Sequence, residues 1–118
     1  YSAFVLQHID YIIETTVPAQ QNDLSYDELL QWATTTQWQG LDVCHHQKLG
    51  KIHAQVEFKA YFKDEQSIQT HHELSAFVLS NTRWYFIDPT VPVRLTMKQP
   101  CFCGSQLKFK HCCGQFLK

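Results

Sequence analysis

The sequence predicts an α+β fold in which N-terminal helices pack on an antiparallel sheet and a small knuckle closes the C-terminus. Three observations carry this prediction. Apolar residues near the start recur every three or four positions, those between 52 and 62 recur every second position, and four of the five cysteines fall in the last eighteen residues.

Over residues 3–15, Phe4, Val5, Ile9, Ile12 and Ile13 form one apolar stripe, widened by Leu6 and Tyr11. That spacing predicts an amphipathic helix with Ser2 as N-cap, and Pro18 stands beyond its end. A second helix is predicted from Ser25, where Ser25 and Glu28 form a capping box ahead of Leu29, Leu30 and Trp32. It should end in the β-branched run Thr34-Thr35-Thr36.

The period then changes to two. Ile52, Ala54, Val56, Phe58, Ala60 and Phe62 alternate with His53, Gln55, Glu57, Lys59 and Tyr61, which predicts a strand with one wet face in an antiparallel sheet. Gly50 separates it from an earlier strand over 38–48. Asp64-Glu65-Gln66 turns into a strand over 67–79, and Ser80-Asn81-Thr82 into a last one over 83–88. The order is a four-strand meander after two helices. Residues 89–100 carry Pro89, Pro92 and Pro100 without glycine. Such a segment is expected to be an extended spacer holding the tail roughly 30 Å away, or else to fold back over 91–97 as an edge strand.

The tail reads Cys101-Phe-Cys103, eight residues, Cys112-Cys113. Four thiolates complete a zinc tetrahedron, so the ion is structural and has no open position for catalysis. Gly104 and Gly114 are expected to take positive φ, and residues 105–110 to make a helical turn or two. Free thiols, a disulfide and an iron–sulfur cluster are the competing readings. An odd cysteine count crowded at one end points to a reducing compartment, hence the cytoplasm. The fifth, Cys44, is expected to be a small buried residue.

The stretch CFCGSQLKFKHCCG resembles the SEC-C motif, the zinc-binding tail of the SecA translocase motor. YSAFV, VEFKAYFKD, HHELSAFV and RWYFIDP resemble the YchJ-like family of small bacterial proteins, so that nearly the whole chain is covered. The resemblance implies a nuclear-transport-factor-2-like cone over residues 1–92, its curved sheet wrapped against helices around a cavity, with linker and SEC-C motif over 93–118. Family members commonly carry a second such motif at the N-terminus, which fits a segment lost ahead of Tyr1. In SecA the motif contacts the SecB chaperone and the ribosome, which implies a protein or ribosomal partner here.

A cavity would be lined by His72, Asp88, Trp38 and Trp84, with His72 and Asp88 as the only acid–base pair to nominate. On that reading the chain is a small-molecule-binding or hydro-lyase-like domain. The competing reading is core packing for the aromatics, Tyr61, Tyr85 and Phe86 included, and a hydrogen-bonded structural histidine. In His71-His72-Glu73 strand alternation puts His71 and Glu73 on one side and His72 on the other, so the three cannot share one ion. His45 and His46 belong to the strand surface.

The net charge of −1 conceals an asymmetry, since all eleven carboxylates precede residue 93, while Arg94, Lys98, Lys108, Lys110 and Lys118 follow it without one. This favours an anionic partner without establishing nucleic-acid binding. Phe102, Phe109 and Phe116 either join these cations in a contact surface or pack over the zinc. No apolar run reaches the roughly 18–20 residues of a membrane span, and no nucleophile elbow, phosphate loop or dinucleotide fingerprint occurs. The sequence therefore points to a non-enzymatic adaptor.

Overall fold

A computed structural model describes residues 1–63, 65–92 and 94–117. The first apolar stripe makes two helices, α1 (Ser2–Val5) and α2 (Ile9–Glu14), because Gln7 between them takes a φ of 59°. A left-handed residue cannot continue a right-handed helix. Ser2 is the first helical residue, and Tyr1 takes the N-cap place without a side-chain bond. Pro18 starts a further short helix, α3 (Pro18–Gln21), where its missing N–H costs nothing. Helix α4 (Tyr26–Thr35) is capped as expected, with the Ser25 hydroxyl accepting the Glu28 N–H at 3.2 Å, and Thr36 leaves it extended.

Four strands follow in meander order: β1 (Gln37–Leu49), β2 (His53–Lys63), β3 (Ile68–Ser80) and β4 (Arg83–Ile87). Asn81 and Thr82, at φ 50° and 65°, close the last hairpin as a two-residue turn whose twist suits the strands. Register shifts near Gly40 and His45 bend β1.

Cross-strand partners share a face, so register sorts the sheet into two sides. On one side lie Trp38 and Phe62, and the aromatic rings of Tyr1, Phe4 and Trp32 pack around Trp38 at 5.4–6.0 Å. On the other lie His53, Val78 and Tyr85, which face the tail. The tail is not held away. Val91 is buried, Leu95 packs on the core, and Arg94 grips the Asp23 carboxylate with two bonds of 3.0 and 2.6 Å. Stiffness set by the prolines is overcome by burial of the cysteine cluster with Val17, Ala76, Val78 and Ile87 in one core. Among the described residues of 91–97 no strand forms.

Candidate metal centre

Backbone bonds build the knuckle. A bridge pairs Pro100 with Lys108, the Cys101 N–H reaches the Leu107 carbonyl at 2.8 Å, and the Phe109 N–H reaches Gln99 at 2.7 Å. Gly104 at φ 82° and Gln106 at φ 69° turn the chain between the cysteine pairs. The helical turns expected over 105–110 fall later in the chain, as two 3₁₀ turns, Phe109–His111 and Cys113–Gln115. Between them Cys112 adopts φ −130°, ψ −121°, which lets adjacent cysteines turn to one centre. Gly114 does not take positive φ; it is needed because a Cβ there would lie 2.5 Å from the Phe109 carbonyl oxygen.

The four sulfurs of Cys101, Cys103, Cys112 and Cys113 lie within 4.8 Å of one another, and all four residues are buried. Cys103 and Cys112 are 3.5 Å apart, near the edge of about 3.8 Å that four thiolates at 2.3 Å from one zinc would give. All are free thiols rather than a disulfide, and they stand too close together to straddle a cluster of several irons. The donor set therefore fits one tetrahedral ion, held entirely by protein. Crowding makes the thiols compete for charge. Hydrogen bonds from Cys101 and Cys113 hold the Cys103 thiol well below its usual range, whereas burial pushes Cys112 up to about 11 and bonding to Cys101 and Cys103 pushes Cys113 up. A bound dication would ionise all four and release their protons.

Two further side chains meet the sulfurs. The Ser105 hydroxyl lies 3.2 Å from Cys112 Sγ and also accepts the Leu107 N–H. His53 Nε2 lies 3.6 Å from Cys112 Sγ and 3.7 Å from Cys113 Sγ. Strand alternation assigned His53 to the wet face, yet it is buried beneath the knuckle. No local signal marks it, since it stands fifty-nine residues before Cys112.

The nominated cavity residues do not converge. His72 bonds Glu57 at 2.7 Å on the exposed sheet face. Asp88 accepts both the N–H and the hydroxyl of Thr90, and its backbone is clasped by Gln20. Because Ile87 pairs with Ala76, Asp88 lies level with Ser75, three residues or about 10 Å of strand from His72. Trp38 belongs to the aromatic core, its indole N–H buried without a partner, and Trp84 is 42% exposed. An open cleft of about 800 Å³ instead lies between the hairpin tips and the knuckle, lined by Ile52, His53, Ser80, Cys103, His111 and Phe116 among others, and by none of the four. His71 and Glu73 pair at 3.1 Å with Ser75 also on the Glu73 carboxylate, apart from His72 as alternation requires. Tyr61 donates to Asp42 at 2.8 Å, Arg83 lies over the Tyr85 ring, and Phe86 packs on Phe77, all as structural contacts. His45 and His46 are exposed, and so, against expectation, is Cys44, because β1 is an edge strand open on both faces there.

The tail phenylalanines point inward. Phe109 is fully buried with Phe102 edge-on at 5.5 Å, and Phe116 lies against the His53 ring at 5.0 Å. Lys98, Lys108, Lys110 and His111 remain exposed, while Lys118 lies outside the described residues.

A helix-backed antiparallel sheet carrying a closed four-cysteine knuckle defines an NTF2-like α+β protein with a C-terminal metal-binding motif. Residues 1–89 match the family described as "YchJ, middle NTF2-like domain", and residues 97–115 match the SEC-C motif. The chain belongs to the YchJ family. It is 52% identical to a UPF0225 protein of Actinobacillus succinogenes, over 99% of this chain and 76% of that one. It is 53% identical to a UPF0225 protein of Haemophilus influenzae, over 99% and 72%. A SEC-C motif containing protein from Psychrobacter arcticus has a similar structure, with a TM-score of 0.95, 54% identity and coverage of 99% and 70%. Another from Rhodopseudomonas palustris gives 0.69, 34%, 75% and 69%.

Proposed function

We propose that this protein is a non-enzymatic adaptor whose SEC-C knuckle, ordered by one structural zinc ion, presents a basic surface to a protein or ribosomal partner. The observation that carries this reading is the closed donor set, four buried thiols with sulfurs within 4.8 Å of one another under an exposed surface of Lys98, Lys108, Lys110 and His111. Four protein ligands leave no position for water or substrate, so the metal organises structure. Soft thiolates favour zinc over harder cations. Keeping five free thiols suits a reducing compartment such as the cytoplasm, and no described helix is long and apolar enough to cross a membrane.

The test is crosslinking in lysate with mass-spectrometric mapping, comparing the wild type with Lys98→Glu/Lys108→Glu/Lys110→Glu. Crosslinks at the knuckle that vanish in the variant, with folding and zinc content unchanged, support the reading. Identical partners captured by both proteins overturn it. RNA-only crosslinks whose yield falls steeply with salt would replace the adaptor by a nucleic-acid binder.

A further inference from the structure

The sheet sends one of its own side chains to the metal centre. His53 opens β2, its neighbours across the ladder being Leu49 on β1 and Val78 on β3, and it is only 8% exposed. Its Nε2 is almost equidistant from two sulfurs, 3.6 Å from Cys112 and 3.7 Å from Cys113. Phe116 seats the ring from within the knuckle at 5.0 Å. A thiolate can only accept, so the nitrogen between two of them must carry its proton toward them.

We infer that His53 is a positioning residue of the metal centre: its Nε2–H donates a shared hydrogen bond to the metal-bound thiolates of Cys112 and Cys113. The inference rests on the metal reading above. Four thiolates around a dication leave a net charge of −2 in a buried place, where donors from outside the coordination sphere lower its cost. The Ser105 hydroxyl supplies one such donor to Cys112 from inside the knuckle. His53 supplies one from the sheet, so the α+β layer and the metal stabilise each other. The neutral imidazole with its proton on Nε2 suffices.

The wild-type protein loaded with ¹¹³Cd tests this directly. A scalar coupling between cadmium and the Nε2-bound proton of His53 is the expected result. A one-bond coupling from cadmium to Nε2 itself would make His53 a ligand and overturn the inference, as would the absence of any coupling to His53. Protein that binds no cadmium or zinc would remove the metal centre and the inference together, so the two failures are distinguishable. In a second arm, His53→Phe keeps a flat ring and loses the donor, and should bind zinc about 10-fold more weakly in chelator competition. Its cobalt form should show the sulfur-to-metal charge-transfer band moved to lower energy with the tetrahedral ligand-field bands retained. His53→Gln, which keeps an N–H, should restore much of both. A folded His53→Phe protein with wild-type affinity and an unmoved charge-transfer band overturns the assignment.

Discussion

The two sides of the sheet are covered in different ways. Short helices meet one side through Phe4 and Trp32, whose rings pack on Trp38, with α1 burying none of its residues, α2 only Ile9 and α4 only Ala33, while Trp32 stays 40% exposed and Tyr11 59% exposed. On the other side a tail with almost no regular structure covers the β3–β4 end, and there Val78, Phe109, Cys112 and Cys113 are completely buried. The region with more secondary structure is the looser one. Burial, and not hydrogen-bonded regularity, sets where the fold is tight, and the tightest packing surrounds the sulfurs. The tail therefore acts as half of the core of the sheet, although its motif reads as an appendage.

The strongest way to break this comparison is to remove the metal. Structural zinc in small knuckles contributes roughly 10 kcal/mol or more of apparent binding energy, comparable with the whole stability of about 5–15 kcal/mol for a domain. Chelation should unfold residues 97–117 and also strip amide protection from Val78 and Ile87, which pack on the cysteines. Hydrogen exchange followed residue by residue checks it; β4 protection that survives chelation would make the two sides independent. Next in size is a matched truncation. Phe109→Ala should cost about 4 kcal/mol, the range for an enclosed aromatic, whereas half-exposed Trp32→Ala should cost about 2 kcal/mol. Urea denaturation of zinc-loaded protein measures both, and equal losses would erase the asymmetry.

The sequence disclosed the sheet well and the core poorly, for a physical reason. Strand boundaries are legible because alternation and turn residues act locally: Gly50 at φ 71° and the Asn81-Thr82 pair fall where the periodicity breaks. The cysteine cluster is legible because its paired spacing lets the four sulfurs come within 4.8 Å of one another. The break at Gln7 leaves no mark in a stripe of apolar residues that stays in phase across it. The burial of Val91 and the return of Leu95 onto a core that draws in Val17 and Ala76 are announced by no local pattern, so the prolines alone gave a spacer. His53 shows the limit most clearly, because its alternation is correct while the assumption that its face is wet fails beneath the tail. His72 and Asp88 fail in the opposite sense: residue type suggested a pair, and register separates them.

A smaller effect sharpens the comparison inside the tail itself. Gly114→Ala places a methyl group 2.5 Å from the Phe109 carbonyl oxygen, which is rigid backbone and cannot step aside. Overpacking of this kind costs about 1–3 kcal/mol. Zinc affinity should fall with stability, because Gly114 directly follows Cys113 of the sulfur cluster. Chelator competition on the folded variant reads the first quantity and thermal melting the second.

The smallest expected effect belongs to the helix side. Ser25 satisfies one of the free N–H groups at the start of α4 through its 3.2 Å bond from Glu28, and Asp27 and Glu28 already favour that positive helix end. Ser25→Ala removes the bond while leaving an exposed N–H that water can satisfy, so the loss should be about 1 kcal/mol. In a chain of this size that is a fall in Tm of roughly 3–5 °C. Because Trp32, which meets Trp38 of the sheet at 5.4 Å, lies past the first turn of α4, fraying that turn should leave the ring contact in place. Tryptophan fluorescence should therefore hold steady below the melt, and zinc affinity should not change. If Ser25→Ala instead matched Gly114→Ala in Tm and weakened zinc binding, the helices and the knuckle would be one cooperative layer acting through the sheet, and the difference in packing between its two sides would carry no difference in stability.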